Sequence, residues 1–140
     1  MYMSEETVKI LEDSGWHEGR SINIDEIIEN LEQLGYEVFL EVKSFLSEFG
    51  NLVIEDVIND ETHDTSFRFT NYDRQGTFKT EEKYAQEKLV PVGLIDSDFL
   101  VLLVSESGKV YCSTGKLGDN ATEAWERLIN GSGVKVWGSF

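Results

Sequence analysis

Near the start of the chain, apolar residues recur at helical spacing in three stretches. Val8, Ile10 and Leu11 lie on one side of a segment from Ser4 to about Ser14. Ser4 is placed to cap it, Glu5 and Glu6 suit the positive end of its dipole, and Gly15 is a natural terminator. Ile27, Ile28, Leu31 and Leu34 follow at i, i+1, i+4 and i+7, with Asp25, Glu26, Glu29 and Glu32 on the other side. Asn23 and Glu26 have the spacing of a capping box, and Gly35 ends this second helix. A third is expected from about Val38, with Phe39, Val42, Phe45, Leu46 and Phe49 inward and Gly50 closing it.

After Gly50 the period changes to that of strands. Residues 52–58 read as a strand and 59–64 as an acidic loop. Residues 65–70 alternate, with Phe67 and Phe69 opposite Ser66 and Arg68. Residues 71–76 read as a turn and 79–88 as a short polar helix. Residues 89–95 and 99–104 are strongly apolar strands joined by Asp96-Ser97-Asp98, the pattern of a hairpin. Ser107-Gly108 is a turn before a strand over 109–113. Asp119 or Asn120 caps a last helix to Ile129, with Ala124, Trp125 and Leu128 inward and Asn130-Gly131 as its stop. The tail VKVW, 134–137, reads as a short edge strand or a frayed end. Helices, then strands, then a helix predict one α+β domain over residues 1–140. Its expected core is a mostly antiparallel sheet of five or six strands, with the N-terminal helices and the C-terminal helix packed against it.

Composition adds a core and removes several functions. The 140 residues include eight Phe, five Tyr and three Trp, enough apolar material to exclude a disordered tail. No stretch approaches the about 18 apolar residues of a membrane helix. MYMSEETVKI lacks a basic segment followed by an apolar run, so no secretory signal is expected. One cysteine, Cys112, excludes an internal disulfide framework. The net charge is −15. Residues 1–64 carry 17 acids against three bases, a net of −14, whereas 65–140 carry ten against nine, a net of −1. Such a chain is repelled by nucleic acid and by anionic membranes and suits a cationic partner. An acidic face also serves solubility alone.

The residues that carry chemistry are sparse. His17 and His63 lie in polar and acidic loops and read as surface residues, and Cys112, inside a strand, reads as a small buried hydrophobe. The loop DVINDETHD, 56–64, fails the calcium-loop pattern because its sixth position is not Gly. No phosphate-binding, dinucleotide, nucleophile-elbow or zinc-protease motif occurs. Trp16 reads as core. Arg20 is isolated among acids and is expected to pin the loop GWHEGR, 15–20, by pairing with a carboxylate. No catalytic residue, cofactor site or metal site is assigned.

Leu11 followed by Gly15-Trp16 and Gly19-Arg20 resembles the GWxxGR signature of group three of the SUKH superfamily. Phe45-Leu46, Phe49-Gly50 and Leu52 are similar to its FLxxFGxL segment. Pro91-Val92-Gly93 before an apolar strand, residues 107–111, and Leu128 to Gly131 follow in the family's order. Asn51 departs from the pattern, where a second glycine is expected. The resemblance spans residues 8–131 and implies an α+β fold and an immunity protein of bacterial polymorphic toxin systems. Such a protein acts in the cytoplasm and neutralises a cognate toxin, often a nuclease, by binding it. The family carries no shared catalytic residues, and Gly15, Trp16, Gly19, Arg20, Phe49, Gly50, Pro91 and Gly93 are expected to be structural.

Resemblance and charge together suggest an acidic surface meeting a basic toxin. The expected contact residues are Asp25, Glu29 and Glu32 on the second helix and Asp56, Asp60, Glu61 and Asp64 of the acidic loop. The alternatives are an intracellular adaptor or regulatory scaffold without a dedicated toxin, as in the broader superfamily, and a small enzyme, which requires carboxylates converging in a pocket. Oligomeric state is left open by the sequence.

Overall fold

A computed structural model describes residues 2–66, 74–95 and 100–140. Three helices come first: α1 (Glu5–Asp13), α2 (Asp25–Gln33) and α3 (Leu40–Phe49). The strands β1 (Val53–Asp56) and β2 (Glu61–Asp64) follow, then helix α4 (Lys79–Ala85). Four more strands are β3 (Leu89–Ile95), β4 (Leu100–Ser105), β5 (Val110–Cys112) and β6 (Gly115–Gly118). Helix α5 (Ala121–Asn130) and strand β7 (Lys135–Val136) complete the chain. The seven strands form one sheet in the order β1 to β7, every neighbouring pair antiparallel.

Local chemistry sets the helix ends. Ser4 Oγ accepts from the Thr7 N–H at 3.3 Å, the expected cap of α1. At α2 the expected capping box does not form. Asn23 Oδ1 accepts the N–H of Asp25, two residues on, at 2.9 Å, a local turn that leaves Ile24 at the cap position. Helix α3 starts at Leu40, two residues later than expected, with Val38 buried ahead of it. Asn120 caps α5 by accepting from the Glu123 N–H at 2.8 Å.

The strand pattern needs two revisions, and the tail resolves to one of its two expected forms. The acidic residues 61–64 are a strand and not a loop, paired so that Asp56 faces Glu61 and Ile54 faces His63. Strand β6 is additional to the expected set, because four residues bounded by glycines show no strand alternation. The tail VKVW supplies β7, an edge strand paired to β6. The expected alternation over 67–70 and the turn at 96–98 lie outside the described residues.

Helices α1, α3 and α5 cover one face of the sheet. Phe49 is the hub of its core, with ring centroids 5.4 Å from Phe45, 5.7 Å from Trp125 and 6.0 Å from Trp16. Leu102, Val110 and Leu117 line the same core beside Phe45 and Trp125. On the reverse face Tyr111 stacks on Trp137 at 5.3 Å, and Tyr84 of α4 covers that indole at 5.5 Å.

Candidate partner-binding surface

The β1–β2 hairpin is built around a buried polar brace. Asp56 and His63 are 1% and 0% exposed, and His63 Nε2 lies 3.0 Å from Asp56 Oδ2, as for a ring N–H donating to a carboxylate. Asp56 Oδ1 accepts from the N–H groups of Ile58 and Asn59, both at 3.1 Å, and Oδ2 also accepts from Asn59 Nδ2 at 2.7 Å. Asn59 Nδ2 further donates to Ile129 O at 2.8 Å, which ties the hairpin tip to the end of α5. Asp60 takes the left-handed φ of +55° at that tip. The expectation of a surface His63 is therefore corrected: paired with Ile54, it faces the core, its ring 6.3 Å from that of Trp125.

This brace also divides the acidic residues proposed to meet a partner. Asp56 is removed from the accessible set, because burial and four hydrogen bonds commit its carboxylate to the hairpin. Glu61, opposite Asp56, and Asp64, opposite Val53, lie on different faces of the ribbon, since side chains alternate along a strand. Asp64 Oδ1 accepts from the Ser66 N–H at 2.7 Å. Asp60 is exposed, while Glu61 and Asp64 are half-buried. Asp25, Glu29 and Glu32 are all exposed on α2, whose Ile27 and Leu31 turn inward.

Among the described residues, the ligand-type atoms of Asp56, Glu61 and His63 lie within 4.8 Å of one another. Two carboxylates and an imidazole are a donor set for a transition metal. Asp56, however, already accepts four hydrogen bonds, so Asp56 and His63 are organised as a hairpin brace.

The residues of the GWxxGR segment sit in a packed joint. Trp16 is 7% exposed, and its Nε1 donates to Glu48 Oε2 at 3.2 Å. Arg20 does pin the loop, but not through the expected carboxylate. Its Nη1 donates to the backbone carbonyl of Glu48 at 2.7 Å. The last carbonyls of a helix lack partners within the helix and carry its negative end, which makes them good acceptors for a guanidinium. Burial lowers the Arg20 pKa, yet arginine keeps its charge. Gly15 and Gly19 form the turns on either side of this loop.

Close backbone approach explains two further glycines. A Cβ on Gly50 would stand 2.5 Å from Leu46 O, and one on Gly93 2.8 Å from Asp64 O. Pro91 and Gly93 bracket an irregularity in the β3–β4 register. Asn51, in place of a glycine, holds φ +57°, a conformation asparagine tolerates better than most residues. Cys112 is fully buried beside Thr114, with 3.3 Å between Sγ and Oγ1.

These joints lie in the segments that resemble the family, and a family comparison agrees. A sequence profile described as SUKH-3 immunity protein matches residues 3–131. The chain belongs to the SUKH-3 immunity protein family. No curated protein and no solved structure matches the chain. Membership supports a role in immunity to a toxin, and the profile covers α1 through α5. No helix among the described residues is long and apolar enough to cross a membrane.

One surface feature is not legible in the sequence. A cleft of about 310 Å³ opens between the hairpin tip and the segment after α5, lined among others by Asn59, Glu61, Leu100, Leu128 and Val134. Its walls come from four separate parts of the chain, so no local pattern announces it.

Proposed function

We propose that this SUKH-3 protein binds a cognate toxin in the cytoplasm and neutralises it through its acidic surface, and that the toxin is a nuclease. The observation that carries this reading is the distribution of charge. A net of −14 lies on residues 1–64, and Asp25, Glu29, Glu32 and Asp60 of that half are exposed. Nucleases hold phosphates in basic clefts. An acidic inhibitor is steered toward such a cleft, and complementary potentials accelerate the encounter.

The test is co-expression with the toxin encoded by the neighbouring reading frame, followed by association kinetics at two salt concentrations. The chain is expected to rescue growth, and the toxin's C-terminal domain to degrade nucleic acid. Substituting Lys at Asp60, Glu61 and Asp64, or at Asp25, Glu29 and Glu32, slows association about tenfold or more and flattens its salt dependence. Failure to rescue overturns the toxin reading. Rescue with rates and salt slopes unchanged in both triple variants overturns the acidic-surface reading.

A further inference from the structure

We infer that the cleft between the hairpin tip and the end of α5 is a receptor for one arginine side chain of a basic protein partner, an inference that rests on the toxin-binding reading and specifies its contact. The lining has two chemistries. Leu100, Leu128 and Val134 supply apolar wall, and Glu61 is the one ionisable residue among the described residues that line it. A cavity with an apolar wall and a single carboxylate fits an amphipathic cation, whose alkyl stem lies along the wall while the charged head meets the acid.

Charge distinguishes this cleft from its neighbours. The cleft beside Tyr36 carries Lys88 along with Glu37 and Glu82 in its own lining. The one on the outer side of α5 carries Arg127 with Glu123 and Glu126. Each already contains a cation. The described residues that line the cleft at Glu61 include no cation, and the cleft adjoins Asp60, in the half of the chain that holds nearly all the charge imbalance. Its frame is also held in place. Asn59 is fixed by Asp56 and by Ile129 O. Across the cleft, Arg127 Nη1 donates to Ser132 Oγ at 2.8 Å, so that cation braces the loop after α5. A site framed in advance spares a partner the cost of ordering it.

Arginine suits it better than lysine. The guanidinium is planar, more weakly hydrated than an ammonium, and able to donate two parallel bonds to a carboxylate. A carboxylate offers about four acceptor positions, so Glu61 accommodates a guanidinium beside any bond it makes within the chain.

The probe is N-acetyl-arginine amide, titrated into the isotope-labelled full chain and read by amide chemical shifts. Saturable shifts are expected at Asn59, Glu61, Leu128 and Val134. Glu61→Gln should weaken binding about tenfold through loss of a charge-assisted bond, and Val134→Phe should block it sterically. Glu12→Gln, which removes the same charge from an exposed position on α1, should leave it unchanged. Absence of saturable shifts at the cleft, shifts spread over the whole acidic surface, or equal binding of N-acetyl-norleucine amide overturns the inference. Equal binding of N-acetyl-lysine amide overturns the choice of arginine. The titration contains no toxin, so it fails or succeeds independently of the rescue assay. If the chain inhibits the toxin with unchanged affinity in both Glu61→Gln and Val134→Phe, this contact is wrong while the toxin reading stands.

Discussion

Asp56 shows how strongly a single residue's environment decides its use. By composition it is one of 27 acids, but burial places it under His63 and over the tip of its own hairpin. Removing one partner of a buried pair leaves the other polar group without compensation. Asp56→Ala should therefore destabilise the fold by about 3 kcal/mol, seen as a lower urea midpoint with an unchanged slope. Asp56→Asn retains an acceptor for the two backbone N–H groups and should lose less. His63 was legible only as one of two histidines. Its position follows from the register that sets it opposite Ile54, and register is a property of two strands together. Arg20 was legible as a pin. Its acceptor, the Glu48 carbonyl, was not, because every residue has a carbonyl and only the helix end makes this one available.

At the scale of elements, α1 is docked by a carboxylate that reaches it from α5. Glu126 Oε1 accepts from the Ser4 N–H at 2.7 Å, and Asn130 Nδ2 donates to Ser4 Oγ at 3.1 Å. Burial alone would raise the Glu126 pKa. The bonds from the Ser4 N–H and from the Thr7, Ser4 and Asn130 side chains outweigh it and hold the group below 4.5. The folded state therefore binds this proton less readily than the unfolded chain. The stabilisation is complete above pH 4.5 and is lost as the pH falls through the lower folded value. Amide exchange in the first turn of α1 should accelerate in that acid range, and Glu126→Ala should accelerate it already at neutral pH while removing the acid dependence. The helices were readable from their periodic stripes, since each stripe is contained in one segment. Strand β6 was not, because four residues bounded by glycines have no period to detect.

The whole molecule is electrically lopsided. Like charges gathered on the first 64 residues repel one another, and this opposes compaction. Screening is therefore expected to stabilise the fold. Raising ionic strength from low to physiological should increase stability by about 1 kcal/mol, or roughly 4 °C in Tm, measured by thermal denaturation. The same screening should slow capture of a basic toxin. One variable thus moves stability and association in opposite directions, a pattern not expected where the acidic residues serve solubility alone.

By itself the sequence determined the α+β class, the three leading helices, the apolar strands β3 and β4, the capped last helix and the charge imbalance. All of these are carried by residues close together in the chain. The SUKH-3 segments were readable for the same reason, as short motifs in a recognisable order. Tertiary structure alone decided which acids remain accessible, that Asp56 and His63 form a buried brace, and that Glu61 lines a cleft with Leu100, Leu128 and Val134. Those facts depend on strand register and on residues far apart in sequence meeting in space, and no single segment encodes either.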